Sequence, residues 1–278
     1  MGKTTKLLWG IGAGALSIAA LSVLKKKAIP EPKVPTNLED NIVLFFQRSY
    51  SPYCIKVKKI MDYKGIPYKN VDVLPVFHRK FLKDVSGQHL VPVIKYQNDV
   101  VNDSTKIAHY LEEIKSEPSI FIKDDEKLNK EVLMLEDWAD ESFIKPFAKL
   151  AVIYNSEHPE IMLETNDYDT GVNLLDKNKD KIFPVMLKFM LKGYGTSIEE
   201  KPSLKKLART NLDILASKLE GKEFLVGDRL TLADIAIASH LETAKKVPYI
   251  AEDEQYEAIF KWQEKIMKMT ERRLAEAV

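Results

Sequence analysis

The chain has 278 residues, enough for one large domain or two modest ones with a real core. Apolar residues make up 45% and charged residues 30%, and 42 Lys and Arg against 41 Asp and Glu leave a net charge of +1, so no basic field argues for nucleic acid. A single Cys excludes an intrachain disulfide framework and a multi-thiolate zinc site, and His78, His89, His109, His158 and His240 show no paired metal-ligand spacing.

Residues 7–24, LLWGIGAGALSIAALSVL, are eighteen uncharged residues between Lys3 and Lys6 on one side and Lys25, Lys26 and Lys27 on the other. As a helix the run is about 27 Å long, just enough for a hydrocarbon core. A cleaved signal peptide is the competing reading, but a lysine triplet directly after the apolar run is a poor cleavage context and a good stop. The expectation is an uncleaved anchor over residues 1–27, in a single-pass membrane protein with its body on the cytoplasmic side. GIGAGA matches a dinucleotide fingerprint, yet no strand precedes it and no acidic residue follows at the right distance. Gly10 and Gly14 form a GxxxG, which reads either as a surface on which two anchors pack closely or as the small residues common in membrane helices.

Residues 28–40, AIPEPKVPTNLED, hold three prolines and read as a stiff linker. NIVLFF then reads as a buried strand. Over 52–64 the apolar residues Cys54, Val57, Ile60 and Met61 recur at helical spacing, and Gly65 suits the C-cap. YKNVDVL (68–74) reads as a second strand, followed by a helix around 76–86. LVPVIKY (90–96) and DVVN (99–102) read as strands joined by Gln97–Asn98, and 104–115 as a helix with Ile107, Leu111 and Ile114 on one face. The order β-α-β-α-β-β-α over 41–115 predicts a small mixed sheet with helices on its faces. After a linker at 116–127, residues 128–278 show no convincing strand. Leu128, Val132, Leu135, Trp138 and Ala139 mark a helix that Pro146 should kink, and Leu204, Leu207, Leu212, Leu215 and Leu219 mark another, closed by Gly221. In RLTLADIAIASHLETA, Thr231 and Asp234 form a capping pair, with Leu230 and Ile235 as the hydrophobic staple. The fold class is α/β plus all-α, a helical bundle following a small α/β unit.

Ser51-Pro52 fits a helix start, with Ser at the N-cap and Pro at N1. Capping alone accounts for it. The same geometry offers free N–H groups and a partial positive charge that would stabilise a thiolate, to which Ser51 could donate a hydrogen bond. Cys54 lies on the stripe with Val57 and Met61, so its thiol is expected to face the core and be inert. Pro92 inside a strand-like run removes a ladder hydrogen bond. A cis Val91–Pro92 bond at an edge, leaving backbone groups for an extended ligand, is one resolution, and an ordinary edge proline is the other. Asp103 and Ser104 precede a helix. They read either as caps or as recognition of an amino-acid end, Asp103 for an ammonium and Ser104 with the helix terminus for a carboxylate.

The joint order of SPYCIKV, KGIPY (64–68), VPVI (91–94), NDSTKIAHYLEE (102–113) and FLVGDRLTLADIAIAS (224–239) resembles the glutathione S-transferase superfamily, over most of the chain beyond the apolar run. The resemblance implies a thioredoxin-like N-terminal domain that binds glutathione as co-substrate, and a helical C-terminal domain that shapes the second-substrate pocket. Carried over by position, Ser51 is the thiolate-activating hydroxyl, as in serine-type members. Val91, before cis Pro92, pairs through its backbone with the cysteinyl unit, and Asp103 and Ser104 hold the γ-glutamyl end. Many members have Glu-Ser or Gln-Ser there, so Asp103 shortens that reach. Tyr50, Tyr53 and Cys54 are secondary candidates beside Ser51. Trp138, Phe143, Phe147, Tyr154 and Tyr194 are candidate pocket residues, each also suited to a core.

The chain is similar, too, to two atypical branches. One is membrane-associated prostaglandin E synthase, whose CPxC first Cys is Ser51 here. The other is the failed-axon-connections and metaxin group, through SPYC and DWADE (137–141). The implied function is activation of the glutathione thiolate for attack on a hydrophobic electrophile, a detoxification chemistry. A non-catalytic membrane-anchored adaptor and a glutathione-dependent thiol oxidoreductase or isomerase are the alternatives, and dimers are common in the family.

Overall fold

The computed structural model describes residues 31–36, 39–74, 78–164, 177–178 and 187–271. The α/β unit holds β1 (Val43–Gln47), α1 (Pro52–Lys64), β2 (Tyr68–Asp72), α2 (Arg79–Ser86), β3 (Val93–Tyr96), β4 (Asp99–Asn102) and α3 (Ser104–Ile114). Its four-stranded sheet has the order β2-β1-β3-β4. β1 runs parallel to β2 with Val43 opposite Tyr68, and antiparallel to β3 with Phe46 opposite Val93. β3 in turn pairs antiparallel with β4, Val93 opposite Asn102.

Every residue of β1 is buried, because a central strand alternates its side chains between two covered faces. Val43 and Phe45 join Cys54, Val57, Ile60 and Met61 of α1 and Ile107 and Leu111 of α3 in the main core. Leu44, Phe46, Val71 and Val93 close a smaller core on the other face with Leu82 of α2. α1 starts and stops as its sequence demands. Pro52 occupies N1, and Gly65 takes the left-handed conformation (φ 61°), where its N–H reaches the Asp62 carbonyl while the Ile66 N–H reaches that of Met61.

The helical domain is α4 (Glu126–Trp138), a π-turn (Ala139–Phe143), α5 (Ile144–Glu157), α6 (Lys201–Leu219), α7 (Leu232–Ala244) and α8 (Glu257–Met269), with short helices at Pro159–Glu164 and Pro248–Ala251. Pro146 was expected to kink the first of these. The adjustment instead sits upstream: Pro146 cannot donate to the Ser142 carbonyl, and the preceding turn widens so that the Ile144 N–H reaches back to Ala139. The α7 capping box forms as expected, the Thr231 N–H and hydroxyl both donating to Asp234 Oδ2 at 2.8 Å. Asp234 Oδ1 also accepts the Leu225 N–H at 2.7 Å, so one carboxylate pins the preceding loop as well. α7 is buried along nearly its whole length and packs against α1, making one core of both domains.

Residues 116–127, expected as a linker, are no loose tether. Ile120, Phe121 and Ile122 are buried, the Ile120 carbonyl accepts the Leu232 N–H, and Lys64 of α1 holds both Glu112 (2.6 Å) and the Pro118 carbonyl (2.8 Å).

The expectations of a transmembrane helix in the fold and of a single-pass membrane location are corrected here. Residues 7–24 lie outside the described residues, and among the described residues no helix is long and apolar enough to cross a membrane. The longest described helix, α6, has 19 residues but carries Lys205, Lys206, Arg209, Asp213 and Lys218. The most apolar, α7, has 13 residues, about 20 Å at the helical rise, and includes Asp234, His240 and Glu242. The architecture is an α/β domain joined to a helical domain, and neither the membrane nor a cytoplasmic-side assignment is retained.

Candidate functional site

The strand register decides which motifs meet. The C-terminal end of β1, which leads through Arg48 to Ser51, lies beside the start of β3, where Val91–Pro92 enters. The end of β4, which leads to Asp103 and Ser104, lies beside that same start. Three segments separated by up to 53 positions in the numbering thus converge at one end of the sheet.

Ser51 has the extended backbone of an N-cap (φ −77°, ψ 119°), but its hydroxyl makes no capping bond to the helix. The residue is half-buried, and the hydroxyl hydrogen-bonds with the Cys54 thiol. Cys54 is 1% exposed. Burial pushes its thiol up to about 12, against the smaller opposing pull of hydrogen bonds with the Arg48 backbone and Ser51, so it stays a neutral S–H. The Tyr50 ring has the Arg48 guanidinium at 5.2 Å and the Lys246 ammonium at 5.8 Å. Tyr53 donates its hydroxyl to the Asp140 carbonyl (3.0 Å) and meets the His240 ring edge-on. Its phenol is pushed well above the ordinary range, by burial first and the charge of Asp140 second.

The Val91–Pro92 peptide is cis, and among the described residues neither the N–H nor the carbonyl of Val91 has an intramolecular hydrogen bond. Asp103 sits at φ 74°, and its Oδ1 accepts the Thr105 and Lys106 N–H groups at 3.1 and 3.3 Å. Ser104 turns inward: it is 6% exposed, and its hydroxyl donates to Asp140 Oδ2 at 3.2 Å. The sequence pattern aimed that hydroxyl at a ligand carboxylate.

Behind these residues lies a cluster that the sequence pattern did not reveal. Lys56, on α1 and 0% exposed, donates to Glu136 Oε1 (2.7 Å) and Asp140 Oδ2 (2.6 Å). Glu136 Oε1 also accepts the Thr105 hydroxyl (2.6 Å), and Asp140 Oδ1 faces His240 Nε2 at 2.8 Å. Burial alone would lower Lys56, but the charges of Asp140 and Glu136 outweigh it and raise the lysine above its ordinary value. Burial would likewise raise Asp140, and the Lys56 charge with the His240 hydrogen bond reverses that, holding its carboxyl well below the usual carboxylate range. A signal was present: Glu136 and Asp140 are an i,i+4 acidic pair interleaved with the apolar positions Val132, Leu135 and Ala139.

Of the candidate pocket residues, Phe143 and Phe147 are fully buried and pack on each other (5.0 Å), with Trp138 against Phe143 (5.1 Å), so these serve the core. Tyr154 contacts Tyr249 and His158.

The glutathione S-transferase N-terminal domain model matches residues 45–119, and the glutathione S-transferase C-terminal domain model matches residues 179–269, together more than half of the chain. The chain is 23% identical over 262 residues to Failed axon connections of Drosophila melanogaster, covering 86% of this chain and only 59% of that relative. Solved structures with the same fold include the beta-etherase LigF of Sphingobium sp. strain SYK-6 (TM-score 0.63, 17% identity, 82% of this chain and 98% of that one). Glutathione transferase GSTFuA3 of Phanerochaete chrysosporium is similar too (TM-score 0.58, 20% identity, 84% and 97%). So is a glutathione S-transferase of Methylobacterium radiotolerans in complex with glutathione sulfonate (TM-score 0.55, 17% identity, 84% and 92%).

Proposed function

We propose, for a chain that belongs to the glutathione S-transferase superfamily, that it binds glutathione across the sheet end and uses Ser51 to hold the tripeptide's sulfur as a thiolate for attack on an electrophilic small molecule. The observation that carries this reading is the peptide edge of Val91, without an internal partner among the described residues, in the same sheet end as a serine hydroxyl that makes no capping bond to its helix. An extended peptide would pair with Val91 through its backbone, which is a strand-addition mode.

Cys54 supports the role of Ser51 rather than competing with it. Because burial keeps Cys54 a neutral thiol, no internal thiolate claims the serine proton, and Ser51 can turn it to the ligand sulfur. Lowering a thiol from about 8.5 to about 6.5 needs roughly 2.7 kcal/mol. A hydrogen bond to a charged acceptor supplies about 1.5–3 kcal/mol, and a helix N-terminus about 0.3–1 kcal/mol more. A thiol oxidoreductase working through Cys54 is disfavoured by its burial.

Turnover of glutathione with an aryl halide tests the reading. Ser51→Ala should lower kcat by about 10²-fold while the glutathione Kd stays within about threefold. Unchanged turnover removes Ser51 from the mechanism. The second reading is a non-catalytic binding protein, favoured by the inward commitment of the Ser104 hydroxyl. Glutathione binding without turnover in the wild type would establish it, and a folded protein that fails to bind glutathione would sink the first.

A further inference from the structure

The resemblance assigns Ser104 to the carboxylate of the γ-glutamyl group, and the buried cluster changes what that residue can offer. A serine hydroxyl has one hydrogen and two lone pairs. Here the hydrogen goes to Asp140 Oδ2, which is fixed in place by Lys56 at 2.6 Å and through its other oxygen by His240 at 2.8 Å. The neighbouring hydroxyl, Thr105, is spent in the same way on Glu136. The N–H groups of Thr105 and Lys106 are taken by Asp103 Oδ1. For an anionic ligand the first turn of α3 therefore retains the Ser104 backbone N–H. For a cationic ligand it offers Asp103 Oδ2, which accepts no hydrogen bond among the described residues, with the carboxylates of Asp140 and Glu136 behind it sharing the single ammonium of Lys56.

We infer that Asp140 is a specificity-determining residue: by taking the Ser104 proton it makes the α3 end of the site recognise the ammonium of the γ-glutamyl group more strongly than its carboxylate. The inference rests on the glutathione reading above. Asp140 acts through Ser104 and does not touch the ligand, so it is a positioning residue. Its part in selectivity is read from a ratio of affinities, which a purely structural role would not move.

The test is calorimetric titration of the wild type with three thiol peptides: glutathione, glutaryl-cysteinylglycine, which lacks the α-amino group, and 4-aminobutyryl-cysteinylglycine, which lacks the α-carboxylate. Loss of the amino group should weaken binding about tenfold or more, and loss of the carboxylate less than about threefold. In Asp140→Leu no acceptor remains at that position, so the Ser104 hydroxyl can donate outward, and the gap between the two analogues should close to within about twofold. A wild type that binds glutathione but suffers more from losing the carboxylate overturns the inference and leaves the glutathione reading standing. A gap unchanged in folded Asp140→Leu overturns the role of Asp140. Absence of binding by all three peptides to the wild type removes the glutathione reading, and the inference with it. The wild-type series decides the selectivity even where Asp140→Leu does not fold.

Discussion

Lys56 of the α/β domain and Asp140 of the helical domain meet at 2.6 Å in the interior, 84 residues apart in the chain. Both side chains are buried, and each is a charge partner of the other. The π-turn before Pro146 carries Asp140 to this position, so a backbone adjustment forced by a proline places the carboxylate that joins α1, α3 and α7.

Lys56→Met should be strongly destabilising. It leaves Glu136 and Asp140 buried without their cation, at a cost of about 3–5 kcal/mol, or roughly 10 °C in Tm. The triple variant Lys56→Met, Glu136→Gln, Asp140→Asn removes the stranded charges and should recover most of that loss. Thermal melts followed by circular dichroism measure both, and a triple variant no more stable than the single would refute the charge-burial account.

The pH dependence has a definite sign. The folded state depresses the Asp140 carboxyl below its unfolded value, so its stabilisation is complete above about pH 5 and is lost as pH falls below about 4 towards the folded pKa. Asp140→Asn should melt well below the wild type at pH 7, with the difference shrinking steadily towards about pH 2. A difference independent of pH would show that Asp140 is not ionised in the fold.

Cys54 should be unreactive. A thiol pushed up to about 12 by burial carries almost no thiolate at neutral pH, and the residue is 1% exposed. Native protein treated with a disulfide reagent should release less than about one tenth of an equivalent of thiol product in an hour, and protein in denaturant one equivalent at once. Rapid labelling of the native state would contradict the burial of α1 against α7.

Thr231→Ala removes the capping hydroxyl of α7 and one of the donors to Asp234, and should cost about 1–2 kcal/mol. Because Asp234 also holds the Leu225 N–H, Asp234→Ala should cost more than Thr231→Ala. Chemical denaturation midpoints rank the two, and the reverse order would place the loop contact outside the stability of the fold.

Features that depend on near neighbours are legible in the amino-acid order alone. Alternation and helical periodicity located β1, α1 and the β3–β4 hairpin, and Gly65 and the Thr231–Asp234 pair act within a single turn, so their residue types suffice to identify them. The chain order of motifs likewise indicated the family. The direction of each site hydroxyl, by contrast, is set by packing between distant segments. Ser51 and Ser104 read as outward donors, because the residues flanking each in the chain do not announce a competitor; in the fold Ser51 bonds with the Cys54 thiol and Ser104 with Asp140, 36 residues away. Lys56, the Glu136–Asp140 pair and His240 come from three stretches far apart in the chain. A buried charge is tolerable only where its partner also arrives, and that meeting is a property of the packed helices and not of any local stretch.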